Sequence, residues 1–120
     1  MRIAVCGGRS FTDFDVFSHV LDAFKFDEII SGGAKGADSM AERYAIECGI
    51  ELTVCLAEWD KFPGNSAAYE RNKMMVDMAD SVIAFWDGKS KGTRMTMQLC
   101  WKAGKPLSII RTDMFGECDG

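Results

Sequence analysis

Apolar and polar positions along this chain alternate between two rhythms. Short β-like runs at residues 3–6, 28–31, 52–56, 81–85 and 107–110 are separated by stretches in which apolar side chains return at helical spacing. The first helical stripe is Phe14, Phe17, Val20, Leu21 and Phe24; it begins after Thr12, with Asp15 three residues on as a capping-box partner. The second carries Ala37, Met40, Ala41, Tyr44, Ala45 and Cys48, and Gly49 closes it as a C-cap. The third, about residues 67–79 with Ser66 as its cap, aligns Ala68, Asn72, Met75, Val76 and Ala79. A polar amide therefore falls on the stripe that faces the sheet, where it needs a partner. The fourth turns Thr93, Met97, Cys100 and Ala103 inward and stops at Gly104, and Pro106 opens the last strand.

Five strands alternating with four helices, joined by right-handed crossovers, predict an α/β fold. The architecture is a Rossmann-like three-layer sandwich with a five-stranded parallel sheet in the order 3-2-1-4-5. A chain of 120 residues has room for one such core. The domain is expected over residues 1–112, followed by a C-terminal tail over 113–120. Trp101 sits mid-helix as core or subunit contact, and methionines 74, 75, 78, 95 and 97 fall at packing positions. His19 lies on an amphipathic helix away from the loops, as a structural or solvent-facing residue.

Hydrophobic residues make up 48% of the chain and charged residues 27%, which excludes the disordered and fibrous classes. No apolar run approaches the roughly 20 residues that cross a bilayer, and the N-terminus lacks the apolar stretch of a signal peptide. A cytoplasmic location without membrane contact is expected. The five cysteines are odd in number and form no C-x-x-C pair, which suits reduced thiols; with a single His19, neither a metal nor a cofactor is expected. Fourteen Lys and Arg against eighteen Asp and Glu leave a net charge of −4. The diffuse attraction behind non-specific nucleic-acid binding is missing, which argues against a nucleic-acid partner and requires any anionic ligand to be held locally.

Glycine-rich segments follow three of the strands, and ligands of such sheets bind at the strands' carboxyl ends. Gly7-Gly8-Arg9 follows the first, Ser31-Gly32-Gly33-Ala34-Lys35-Gly36 the second, and Trp86-Asp87-Gly88-Lys89-Ser90-Lys91-Gly92-Thr93 the fourth. Each brings backbone N–H groups to an anion, two of them at the start of a helix. Neither the dinucleotide pattern G-x-G-x-x-G nor the Walker pattern is matched; Lys35-Gly36 is followed by Ala37, so the magnesium-binding hydroxyl is missing. Trp59 and Trp86 flank the expected mouth, where either could stack on a base or serve as partial core.

Four motifs occur in order: Gly7-Gly8-Arg9-Ser10-Phe11, the Ser31 to Asp38 segment, Glu70-Arg71-Asn72-Lys73-Met74, and Ala84 to Thr93. Together they resemble the YspA-related branch of the SLOG superfamily, which includes the LOG phosphoribohydrolases and the DprA/Smf proteins. The resemblance spans about residues 2–110 and implies a nucleotide or nucleotide-derived ligand, bound by a sensor or sequestering module. Its expected contacts are Gly7, Gly8, Arg9, Ser31, Gly32, Gly33, Lys35, Gly36, Asp38, Arg71, Asn72, Trp86, Asp87, Gly88, Ser90, Gly92 and Thr93. The alternative is a nucleotide N-glycosidase that releases a base. The LOG enzymes carry an Arg-Lys pair and a glutamate; here Arg71 matches the arginine, Asn72 replaces the lysine, and Thr96 stands at the glutamate position. In an enzyme Arg71 would hold the phosphate and Asp87 would supply the charge that a threonine hydroxyl cannot. Superfamily members often pair through helices, so a homodimer or higher homo-oligomer is expected.

Overall fold

The computed structural model describes residues 1–8, 11–32, 36–57 and 66–114. Its elements are β1 (Arg2–Gly7), α1 (Phe14–Asp22), β2 (Glu28–Ser31), α2 (Ala37–Cys48), β3 (Glu51–Val54), α3 (Ser66–Met78), β4 (Ser81–Trp86), α4 (Lys91–Ala103) and β5 (Leu107–Arg111). A 3-10 turn, Thr112–Met114, follows, and the expected tail is described only as far as residue 114. Every neighbouring pair of strands is parallel and the order is β3-β2-β1-β4-β5, as the pattern predicts. All five carboxyl ends therefore lie on one edge of the sheet.

The period of two along the central strands sorts the core into two layers. Ile3, Val5, Ile83 and Phe85 meet α1 and α2 on one face, while Ala4, Cys6, Val82 and Ala84 meet α3 and α4 on the other. Large residues fill the first layer: Phe85 stacks between Phe11 at 4.9 Å and Phe17 at 5.1 Å. Phe11 belongs to the loop after β1, so this stack fastens that loop to the sheet. On the second face the strand residues are small, and Met75, Val76, Met97 and Cys100 fill the space above them. Tyr44 of α2 reaches across to α1, its hydroxyl donating to Asp22 Oδ1 at 2.6 Å.

The amino ends of the strands are densely tied. The N-terminal amine pairs with Asp27, the Arg2 N–H donates to Asp80 Oδ2 at 2.7 Å, and the Asp80 N–H returns a bond to the Arg2 carbonyl at 2.8 Å. The bond from Arg2 holds the Asp80 carboxyl below its ordinary range. Lys105 does the same service for α3. Its Nζ donates to the carbonyls of Val76, Asp77 and Ala79 at 2.7, 2.8 and 2.6 Å, meeting acceptors in and just after that helix's last turn.

Local details differ from the sequence pattern in instructive ways. The cap of α1 is Asp13 and not Thr12, because Asp13 Oδ1 accepts from the Val16 N–H at 3.1 Å. The third strand stops at Val54: the Cys55 N–H still reaches the Ser31 carbonyl at 2.7 Å, but Leu56 is exposed beyond the sheet. Trp101 is 58% exposed and so is no core residue, and Met74 is likewise open to solvent. His19 is solvent-facing. Among the described residues, no helix is long and apolar enough to cross a membrane.

Candidate functional site

At the carboxyl edge the chain passes close to itself, and glycine is what permits it. A Cβ on Gly7 would lie 2.6 Å from the Cβ of Ala37, so the end of β1 touches the start of α2 only because that atom is absent. A Cβ on Gly32 would lie 2.8 Å from Arg71 Nη1. The Arg71 guanidinium instead lies across the end of β2, donating from Nη1 to the Gly32 carbonyl and from Nε to Asn72 Oδ1, both at 2.8 Å. This bond supplies the partner that the buried amide of Asn72 requires, and the Asn72 Nδ2 faces Met95 Sδ at 3.5 Å.

Three helices begin at this edge with described N-termini, and they are finished differently. The first is capped by Asp13 and carries Asp15 in its first turn. The second starts at Gly36, with φ +80° and no side-chain cap, but has Asp38 in its first turn. The fourth has neither a side-chain cap bond nor an acidic residue in its first turn. Its N-cap Ser90 has the residue type and extended backbone of a good cap, yet the Ser90 hydroxyl pairs with that of Thr93 at 3.2 Å. The partial positive charge and N–H donors of α4 thus remain open to an anion.

That end opens into a cleft of about 170 Å³ lined by Cys6, Gly7, Gly8, Asp38, Arg71, Asn72, Met75, Ser90, Gly92, Thr93 and Thr96. Eight of the expected contacts come together here: Gly7, Gly8, Asp38, Arg71, Asn72, Ser90, Gly92 and Thr93. Thr96, at the position that the LOG enzymes give to glutamate, donates its hydroxyl to the Gly92 carbonyl at 3.3 Å. Burial, and then the charge of nearby Asp38, pushes the Cys6 thiol up to about 12, so it forms part of the wall and is no nucleophile near neutral pH.

Other expected residues stand apart from the lining. Asp87 Oδ1 accepts from the N–H groups of Lys89 and Ser90, each at 2.8 Å. These bonds hold its carboxyl below the ordinary range and shape the turn that presents Ser90. Trp86 Nε1 donates to the Ser90 carbonyl at 3.1 Å. Ser31 is fully buried at the end of β2, and its hydroxyl has no hydrogen-bond partner among the described residues. Gly36 starts α2, and Gly88 makes its turn with φ +85°. Arg9, Gly33, Lys35 and Trp59 lie outside the described residues.

Arg111 is a neighbour that periodicity does not reveal. Parallel register sets it beside Trp86, with its guanidinium 5.4 Å from the indole centroid and 2.8 Å from Asp113 Oδ2. The available signal was the register itself, since the last residue of β5 must sit next to the last of β4.

A five-stranded, all-parallel sheet in the order β3-β2-β1-β4-β5, wound with four helices, defines a Rossmann-like α/β class. Within that class, residues 1–62 match the YspA, cpYpsA-related SLOG family. The gene 61 protein of Mycobacterium phage D29 is 34% identical over 117 residues, which cover 88% of this chain and 93% of the phage protein. The chain belongs to the YspA, cpYpsA-related SLOG family. Among solved structures, DNA processing protein A (DprA) from Streptococcus pneumoniae matches with a TM-score of 0.73 at 18% identity, over 95% of this chain and 51% of its own length. DprA from Helicobacter pylori matches with a TM-score of 0.73 at 21% identity, over 96% of this chain and 67% of its own. The chain spans about half the length of the pneumococcal protein, and these likenesses show the shared fold.

The Helicobacter protein was solved for its single-stranded DNA binding mode. This corrects the argument from net charge against a nucleic-acid partner, because a protein that contains this fold binds single-stranded DNA. Whole-chain charge is a poor guide where cations and helix ends can act locally.

Proposed function

We propose that this SLOG-family domain is a sensor or sequestering module that binds a nucleotide or nucleotide-derived ligand through its phosphate at the start of α4. The observation that carries this reading is that the start of α4, whose first turn has neither a side-chain cap bond from Ser90 nor an acidic residue, opens into the cleft that Arg71 also lines. Backbone N–H groups near Gly92 and Thr93, the hydroxyls of Ser90 and Thr93, and the guanidinium form a donor set for phosphate oxygens. Asp38 cannot share in that task, but a carboxylate in the same cleft accepts hydrogen bonds from ribose hydroxyls. The phosphate could belong to a free nucleotide or to a strand of nucleic acid, since the recognising chemistry is the same.

Base release is a second reading, supported by the presence of Asp38 in the cleft. Asp87 gives it less support, because its Oδ1 is engaged in the turn.

The test is a thermal-shift and calorimetric series with AMP, ADP-ribose and decathymidylate, followed by chromatography for free base. Saturation at 100 times the dissociation constant is expected to stabilise the chain by about 2.7 kcal/mol. Gly92→Val places its side chain in open space, with no atom within 4 Å of the added Cβ, so the variant should fold while obstructing the cleft. A loss of affinity of at least about tenfold is expected. Unchanged affinity in this variant, or no response to any ligand, overturns the proposal. Binding of decathymidylate alone assigns the phosphate to a strand, and release of free base assigns a reaction.

A further inference from the structure

We infer that the groove on the far side of Arg71 holds the base of the nucleotide whose phosphate enters the cleft; this extends, and rests on, the phosphate reading above. The cleft, at about 170 Å³, falls below the roughly 300 Å³ at which pockets begin to enclose a complete small ligand. A nucleotide anchored there must place part of itself elsewhere. A second hollow of about 340 Å³ runs along α3 past the end of β3, and Arg71 lines both spaces.

The two hollows differ in chemistry. Hydroxyls, glycine backbone and a carboxylate dominate the cleft, whereas Leu56, Met74 and Met78 give the groove apolar and thioether surface. Leu56 and Met74 are 65% and 46% exposed, so neither is committed to the core. Glu70 and Lys73 add an acceptor and a donor for the polar edge of a ring. Arg71 joins the two halves. Its guanidinium is held in one orientation by the Gly32 carbonyl and Asn72 Oδ1, and a fixed guanidinium plane stacks on a planar base while its charge serves the phosphate. Thioethers favour contact with aromatic ring edges. A nucleobase, with an apolar face and a polar rim, is the occupant that matches this lining.

Calorimetric titration of the full chain with ribose 5-phosphate, and with AMP, GMP, CMP and UMP, separates the two halves. The tightest of the four nucleotides is expected to bind at least about tenfold more strongly than ribose 5-phosphate, the usual worth of one stacked base. The double variant Leu56→Ser, Met74→Ser changes only exposed side chains, and its fold is checked by melting without ligand. It should lose about tenfold for that nucleotide and less than about twofold for ribose 5-phosphate. Equal wild-type affinity for nucleotide and sugar phosphate, an unaltered nucleotide affinity in the variant, or equal losses for both ligands overturns the groove assignment and leaves the phosphate site standing. Failure of the wild-type chain to bind either kind of ligand overturns the phosphate reading and the groove together.

Discussion

The two edges of the sheet are built from the same kinds of ends, yet one is closed and the other left open. At the amino edge Asp27, Asp80 and Lys105 meet chain ends, strand ends and the last turn of α3. At the carboxyl edge α2 lacks a side-chain cap, and α4 keeps its N–H groups uncovered even though Ser90 is of a type that could cap them. An uncapped helix end forgoes roughly 1 kcal/mol. Placing that deficit at the edge where three glycine-bearing turns and Arg71 gather separates the stabilising end of the molecule from the end we propose for binding.

This contrast can be broken from either side. Lys105→Met keeps the length of the side chain but leaves the carbonyls of Val76, Asp77 and Ala79, at the end of α3, without their charged donor. A loss of about 2 kcal/mol is expected, read as a melting point lower by several degrees, with nucleotide affinity unchanged. Ser90→Asp does the reverse, supplying a carboxylate cap to α4 where the ligand's anion would sit. It should raise stability by about 1 kcal/mol while weakening nucleotide binding, and stabilisation without weaker binding would detach the open end from the ligand. The smallest effect concerns acid. Asp80 has its folded pKa below the ordinary value of a free carboxylate, so the unfolded chain binds the proton more readily. Its contribution is present above that value and fades as pH falls through the folded one, so melting curves of Asp80→Asn should show a shallower decline between about pH 5 and pH 3 than the parent.

The sheet was legible because its signals are periodic. Alternation along residues 3–6 and 81–85 placed the two central strands, and Gly49 and Gly104 marked helix ends that do adopt the left-handed backbone, at φ +67° and +70°. Local competition was harder to read: Thr12 and Asp13 are both good caps, and only the chain's path decides which oxygen reaches Val16. Among the site residues, Asn72 declared itself as a polar group on an apolar stripe. Asp87 carried chemistry in its residue type but spends its Oδ1 on a turn, which no spacing rule distinguishes from an open carboxylate. Thr96 was marked by the resemblance as standing at the glutamate position, whereas Arg111 depends on register at the edge, which emerges only once the strands are aligned.

The contact between Gly7 and Ala37 has a consequence for how this chain can change over generations. With 2.6 Å between a Cβ on the one and the Cβ on the other, the two positions share space for a single methyl group. Alanine at 7 would also press on the Cβ and the carbonyl oxygen of Phe85, each 3.1 Å away, so glycine in place of Ala37 relieves only one of three contacts. Position 7 is thus held to glycine from two directions, by the start of α2 thirty residues on in the sequence and by the end of β4 beside it.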